Sequence, residues 1–87
     1  MLSRTTLKRH AHLVDEMAAA QGLDLEEQIL RGNLTVSDLE DAVLRCTGCS
    51  QPCTCETWLN ARQGPIEEPP AYCRNTELFS DIKRAAQ

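Results

Sequence analysis

The sequence predicts an all-α fold, a small bundle of four to five short helices, and three observations carry that expectation. Apolar residues recur at steps of three and four along most of the chain. Cap residues and glycine stops punctuate these stretches at intervals that suit short helices. No segment shows the period-two alternation of a strand. With one Trp, one Tyr and one Phe, the core must be built from Leu, Val, Ile and Ala, which favours helices packed through small and aliphatic side chains. The 87 residues leave room for a single domain spanning 1–87. Chains near this size often need a metal, a disulfide or a partner to hold their fold.

Taken in order, Leu7, Ala11, Val14 and Ala18 recur at helical spacing, with Leu13 and Met17 widening the stripe, and Gly22 stops this first helix after roughly residues 4–21. Asp24 opens a short second helix, with Glu27 three residues on as a capping box. Arg31-Gly32-Asn33 ends it. Thr35 and Asp38 repeat the cap pattern and start a third helix carrying Val36, Leu39, Val43 and Cys46 on one face. Residues 47–51 form a turn around Gly48. Ser50 followed by Pro52 opens a fourth helix, since proline is tolerated in a first turn. It runs to about Arg62 with Cys55, Trp58 and Leu59 on one side. A loop from Gln63 to Arg74, with Gly64, Pro65, Pro69 and Pro70, delivers Tyr72 and Cys73 to the body. Asn75 caps a last helix whose Leu78, Phe79, Ile82 and Ala86 face inward.

The net charge of −4 argues against a nucleic-acid partner, because phosphate contacts normally require a basic patch. The only basic cluster is Arg4, Lys8 and Arg9, and no run of four Lys/Arg is present for an anionic membrane surface. No stretch of about 18 apolar residues occurs, so no membrane span is expected. The N-terminus lacks the apolar core of roughly 7–15 residues found in a secretory signal, which points to a cytoplasmic protein. There thiols stay reduced, and clustered cysteines are more often metal-binding or catalytic than disulfide-bonded. An odd count of five agrees, since five cannot all pair within one chain.

The cysteines read Cys46-x2-Cys49-x3-Cys53-x-Cys55-x17-Cys73. A Cys-x2-Cys turn lets both sulfurs point the same way. Positions 53 and 55 lie about 200° apart around a helix of ~3.6 residues per turn, so only one can share the face of Trp58 and Leu59. That one is Cys55, and Cys53 is left over. Cys55 and Cys73 both stand near helix N-termini, where the dipole lowers a thiol pKa. The expected metal ligands are therefore Cys46, Cys49, Cys55 and Cys73. Arg45 and Arg74 would offset the charge of four thiolates, and Trp58 and Tyr72 would wall the site. His10 and His12 lie on different faces of the first helix; either could be a metal ligand, but a surface or half-buried histidine is the commoner case, and His10, near the Val14 side, is the better of the two. A tetrathiolate pocket suits zinc or an iron–sulfur cluster.

The strings HAHLVDEMA, GLDLEEQILRG, DLEDAVLRCTGC, CETWL and PAYCRN resemble a bacterial family of domains of unknown function, DUF6455, from about residue 9 to 79. The resemblance singles out Cys46, Cys49, Cys55 and Cys73 with Trp58, Leu59, Tyr72 and Asn75; it does not require cysteine at 53, and it implies no function. More loosely, the Cys46-x2-Cys49-x5-Cys55 spacing is similar to that of WhiB-like regulators and the helical DNA-glycosylase family, whose largely helical folds hold a four-iron cluster. Their fourth cysteine precedes the trio, whereas Cys73 follows it.

These readings favour an iron–sulfur cluster over zinc in a small cytoplasmic module, a redox- or iron-responsive adaptor or electron-transfer partner. No Ser/His/Asp set, nucleotide loop or paired-carboxylate pattern suggests catalysis. Two alternatives stand beside it: a zinc- or disulfide-stapled protein-interaction domain, and a thiol-redox protein using Cys46 and Cys49. A protein partner is expected. The Leu/Ala-rich faces of the first and last helices could pack within the monomer or form a homodimer.

Overall fold

A computed structural model describes residues 3–86, and within them the chain forms five α-helices and no strand. They are α1 (Arg4–Ala20), α2 (Leu25–Leu30), α3 (Val36–Thr47), α4 (Pro52–Ala61) and α5 (Thr76–Ala86). The body is a flattened disc of 32 × 32 × 17 Å. α1 is the central element, packed chiefly on α3 and then on α4.

Local chemistry explains each boundary. Ser3 caps α1 by accepting the Thr6 N–H at 3.1 Å. At its other end Gly22, at φ +81°, lets the Leu23 and Gly22 N–H groups reach back to the Ala18 and Ala19 carbonyls, at 2.9 and 3.0 Å. This is a Schellman stop, which the left-handed glycine makes possible. Gly32, at φ +80°, closes α2 the same way: the Asn33 N–H meets Gln28 O at 2.9 Å and the Gly32 N–H meets Ile29 O at 3.1 Å. Thr35 and Asp38 form the full reciprocal capping box. The second expected box is only half made. Asp24 accepts the Glu27 N–H, but the Glu27 carboxylate pairs with Arg31 at 2.8 Å, one turn along, instead of reaching back.

The core draws Leu13, Val14, Met17, Ala18 and Ala20 from α1, Leu59 and Cys55 from α4, and Phe79 and Ile82 from α5. Ala18 and Ala42 are completely buried. With no free space around either methyl group, a larger residue at either place would overpack the core at a typical cost of ~1–3 kcal/mol. On α3 the expected stripe is rotated. Leu39, Val43 and Cys46 are half-buried, Val36 is exposed, and Ala42 makes the deepest contact. Ala86, expected inside, is exposed, because α5 outruns the core after Ile82. The apolar faces of α1 and α5 are therefore buried within the chain itself. None of the helices is long and apolar enough to cross a membrane.

The long connection between α4 and α5 is tied to two different helices at adjacent residues in its first half. The Ile66 N–H donates to Ala20 O at 2.8 Å, and Lys83 Nζ donates to Glu67 O at 2.5 Å. These anchors bring the segment carrying Tyr72 and Cys73 back across the end of α3.

Candidate metal centre

The site starts in the last turn of α3. Cys46 continues the half-buried stripe of Leu39 and Val43. The Gly48 and Cys49 N–H groups then donate to the Arg45 and Cys46 carbonyls, both at 3.0 Å, which keeps the corner tight. At Gly48 an added Cβ would lie 3.3 Å from Arg45 O and 3.8 Å from the Arg74 guanidinium. A bare glycine leaves space for that side chain to pass.

α4 begins without a side-chain cap from Gln51, and Pro52 fills the first turn. Ser50, expected to open the helix, makes no cap. The Cys49 sulfur stands nearest, accepting the Gln51 N–H at 3.4 Å. Cys55 follows one turn into α4 and is buried beside Leu59.

Cys73 arrives on the arm before α5. Its N–H donates to Pro70 O at 2.9 Å and its carbonyl accepts Thr76 Oγ1 at 3.1 Å. Asn75 occupies the cap position of α5, and its carbonyl takes the Phe79 N–H at 3.0 Å. Its side chain does not cap, contrary to expectation. Instead it crosses to α3, donating through Nδ2 to Ala42 O at 2.9 Å and accepting Arg45 Nε at 2.8 Å through Oδ1.

Cys46, Cys49, Cys55 and Cys73 line one cavity, completed by His10, Val14 and Met17 of α1 with Tyr72 and Phe79. Its free volume is about 30 Å³, enough for one water- or ion-sized body, which needs at least ~10–15 Å³. Among the described residues, no three His, Cys, Asp or Glu side chains meet closely enough to grip an ion as they stand. The sulfurs sit around the walls, not at a point, and all five cysteines are free thiols.

Burial governs these thiols. It pushes Cys46 up to about 12, helped by the neighbouring Cys55, Cys49 and Cys73, and Cys55 up to about 11, helped by Cys73 and Cys49. Cys73 is raised as well, by burial, although hydrogen bonds from Asn75 and Thr76 oppose the shift. The lowering expected from nearby helix N-termini is outweighed, because desolvation of a thiolate in an apolar pocket is the larger effect here.

The other predicted residues divide. Tyr72 lines the cavity; its hydroxyl is buried with no hydrogen-bond partner among the described residues, and its phenol is pushed up by burial and by Cys55, Cys49 and Cys73. Arg74 also lines it. Arg45 turns away to Asn75 and an outer groove with Glu77 and Asp81. Trp58 is not in the cavity wall; it faces a surface hollow with Cys53, Thr54 and Thr57. Cys53 is exposed, 3.5 Å from the Arg9 guanidinium, which itself holds Glu56 at 2.5 Å. His12 is exposed, 3.9 Å from Glu16. His10 is the residue the sequence reading undervalued: it is 5% exposed, with Nδ1 3.3 Å from Cys46 Sγ. The signal was present, since His10 stands four residues before Val14 on the buried stripe.

Fold and site together define a small five-helix module with a four-thiol cavity. The chain belongs to DUF6455, a family of unknown function, whose model matches residues 1–85. No curated protein and no solved structure matches it.

Proposed function

We propose that this chain is a small metal-binding module, holding an iron–sulfur cluster in preference to zinc and serving as a redox- or iron-responsive adaptor or electron-transfer partner. The observation that carries the reading is the convergence of four thiols, from three separate segments, on one largely apolar cavity. A simple core would have no use for four thiols, three of them raised by burial, and a buried tyrosine hydroxyl without a protein partner around the same space, since buried polar groups are nearly always satisfied. Soft thiolate donors suit either metal.

Two features bear on the choice, in opposite directions. The separation of the sulfurs favours a cluster, whose four thiolates each bind a different iron. The small free volume favours a single ion. The corner at 47–51 and the arm before α5 are irregular and can give way more readily than packed helices, so the separation weighs more.

In this reading Cys46, Cys49, Cys55 and Cys73 would hold the centre, each giving up its proton as it binds. Tyr72 excludes water on one side, and Arg74 supplies positive charge at the rim. A bound cluster would supply one-electron chemistry. A cytoplasmic setting keeps the thiols reduced for this purpose, and the docking protein would read the rim. Cys53 takes no part.

A structural zinc site is the second reading, favoured by the cavity's size. The thiol-redox alternative is not favoured at Cys46, whose thiol, pushed up to about 12, is a poor nucleophile near neutral pH. Anaerobic purification followed by visible absorption and iron, sulfide and zinc analysis tests the proposal. Brown protein with stoichiometric iron and sulfide is expected; colourless protein with stoichiometric zinc selects the second reading, and protein free of both discards metal binding.

A further inference from the structure

His10 lies on α1, 36 residues before Cys46, and is the only charged-capable side chain that α1 buries against the cavity. Its Nδ1 stands 3.3 Å from Cys46 Sγ, a contact between residues that nothing in the chain's local geometry requires. Apart from His10, Cys46 has no polar contact at its sulfur among the described residues, and in this it matches Cys55. Cys49 Sγ has the Gln51 N–H, and Cys73 has hydrogen bonds from Asn75 and Thr76.

We propose that His10 is the hydrogen-bond donor to the Cys46 thiolate of the metal-loaded site, a positioning residue and not a ligand. The inference rests on the metal-binding reading above and adds a residue to it. A metal-bound thiolate carries no proton, so its sulfur can only accept. The His10 ring nitrogen 3.3 Å away must then carry a hydrogen, with Nδ1 as donor. Four thiolates already complete a tetrahedral ion or a four-iron cluster, which leaves the imidazole free for this role. Donation withdraws charge from one sulfur of a site that is otherwise rich in negative charge. It also fixes the rotamer of Cys46 from the opposite wall, because His10 is itself held by the packed core of α1. Partners of this kind typically govern metal affinity by about 10–100-fold.

Two variants separate the donor from mere bulk. His10→Asn keeps an amide N–H close to the position of Nδ1. His10→Leu keeps an apolar side chain in the buried place and removes the donor. Anaerobically isolated wild type and both variants are challenged with EDTA, and metal loss is followed together with X-ray absorption at the edge of the metal present. Wild type and His10→Asn are expected to retain metal alike and to show sulfur ligands only, while His10→Leu, folded by circular dichroism, should lose metal about 10–100-fold more readily. Equal retention in wild type and His10→Leu overturns the proposal. So does equal loss in both variants, which would make His10 a matter of shape, and so does a nitrogen scatterer at about 2.0 Å, which would make it a ligand. A wild type isolated without metal is a different failure: it removes the metal-binding reading itself.

Discussion

The Asn75 side-chain amide donates to the Ala42 carbonyl at 2.9 Å, joining the start of α5 to the middle of α3. Its oxygen simultaneously accepts from Arg45, so both ends of one buried amide are used. The contact fixes the arm that carries Cys73 against the helix that carries Cys46. Replacing Asn75 with Ala removes both bonds and leaves a small void. The expected loss is about 1–3 kcal/mol of stability, read as a lower urea midpoint with unchanged slope. Metal retention should fall in parallel, because the Cys73 arm would no longer be pinned.

The raised thiols make the metal-free, reduced protein sensitive to alkali. In the unfolded chain these thiols ionise near 9.0, whereas in the fold Cys46 and Cys55 hold their protons to about 12 and about 11. Between those values the unfolded state binds fewer protons, so stability falls as pH rises. The contribution is complete below about pH 9 and is lost as pH climbs through the folded values. Urea titrations from pH 7 to 11 should show a falling midpoint, and Cys46→Ala should flatten part of the fall. A midpoint independent of pH over this range would contradict the burial of these thiols.

Cys53 should behave as an independent surface thiol. In the metal-free protein a water-soluble alkylating reagent should modify it before Cys55, as peptide mapping can show. Cys53→Ser should leave metal content unchanged and shift stability by less than about 0.5 kcal/mol, as surface substitutions usually do.

Tyr72 offers a test in which the sign depends on occupancy. Its buried hydroxyl has no partner among the described residues, and an unpaired buried hydroxyl is costly. Tyr72→Phe should therefore be neutral or stabilising by up to about 1 kcal/mol without metal. With metal bound, the same variant should release it faster if the hydroxyl donates to the centre. Thermal melts with and without metal separate the two cases.

Much of this architecture was legible because it is written locally. The Schellman stops need glycine at 22 and 32, the Thr35–Asp38 box needs two short polar side chains at the right interval, and Pro52 can only stand early in its helix. The helix-face argument that set Cys53 apart from Cys55 likewise needed nothing beyond the helical period. What escaped was tertiary. Ala42 is completely buried, and nothing in its neighbours announces it. Asn75 has the chemistry of a cap, but a backbone carbonyl 33 residues away offered its side chain a buried partner. Trp58 follows the same logic: its position on α4 was readable, whereas the neighbours its large ring would cover were not. The thiol shifts were misjudged for one reason, since a helix start is visible in sequence and depth of burial is not.

The cavity walls come from α1, from the corner between α3 and α4, and from the arm before α5, so no fragment of the chain contains it. Whatever occupies that space can bind only the finished tertiary structure, and its binding energy must add to the stability of the entire domain. Backbone amides far from the sulfurs, such as those in the middle of α1, should then exchange their hydrogens more slowly on loading, together with those beside the cysteines. A local clasp would quiet only its own loop; this arrangement makes occupancy a property of the whole molecule.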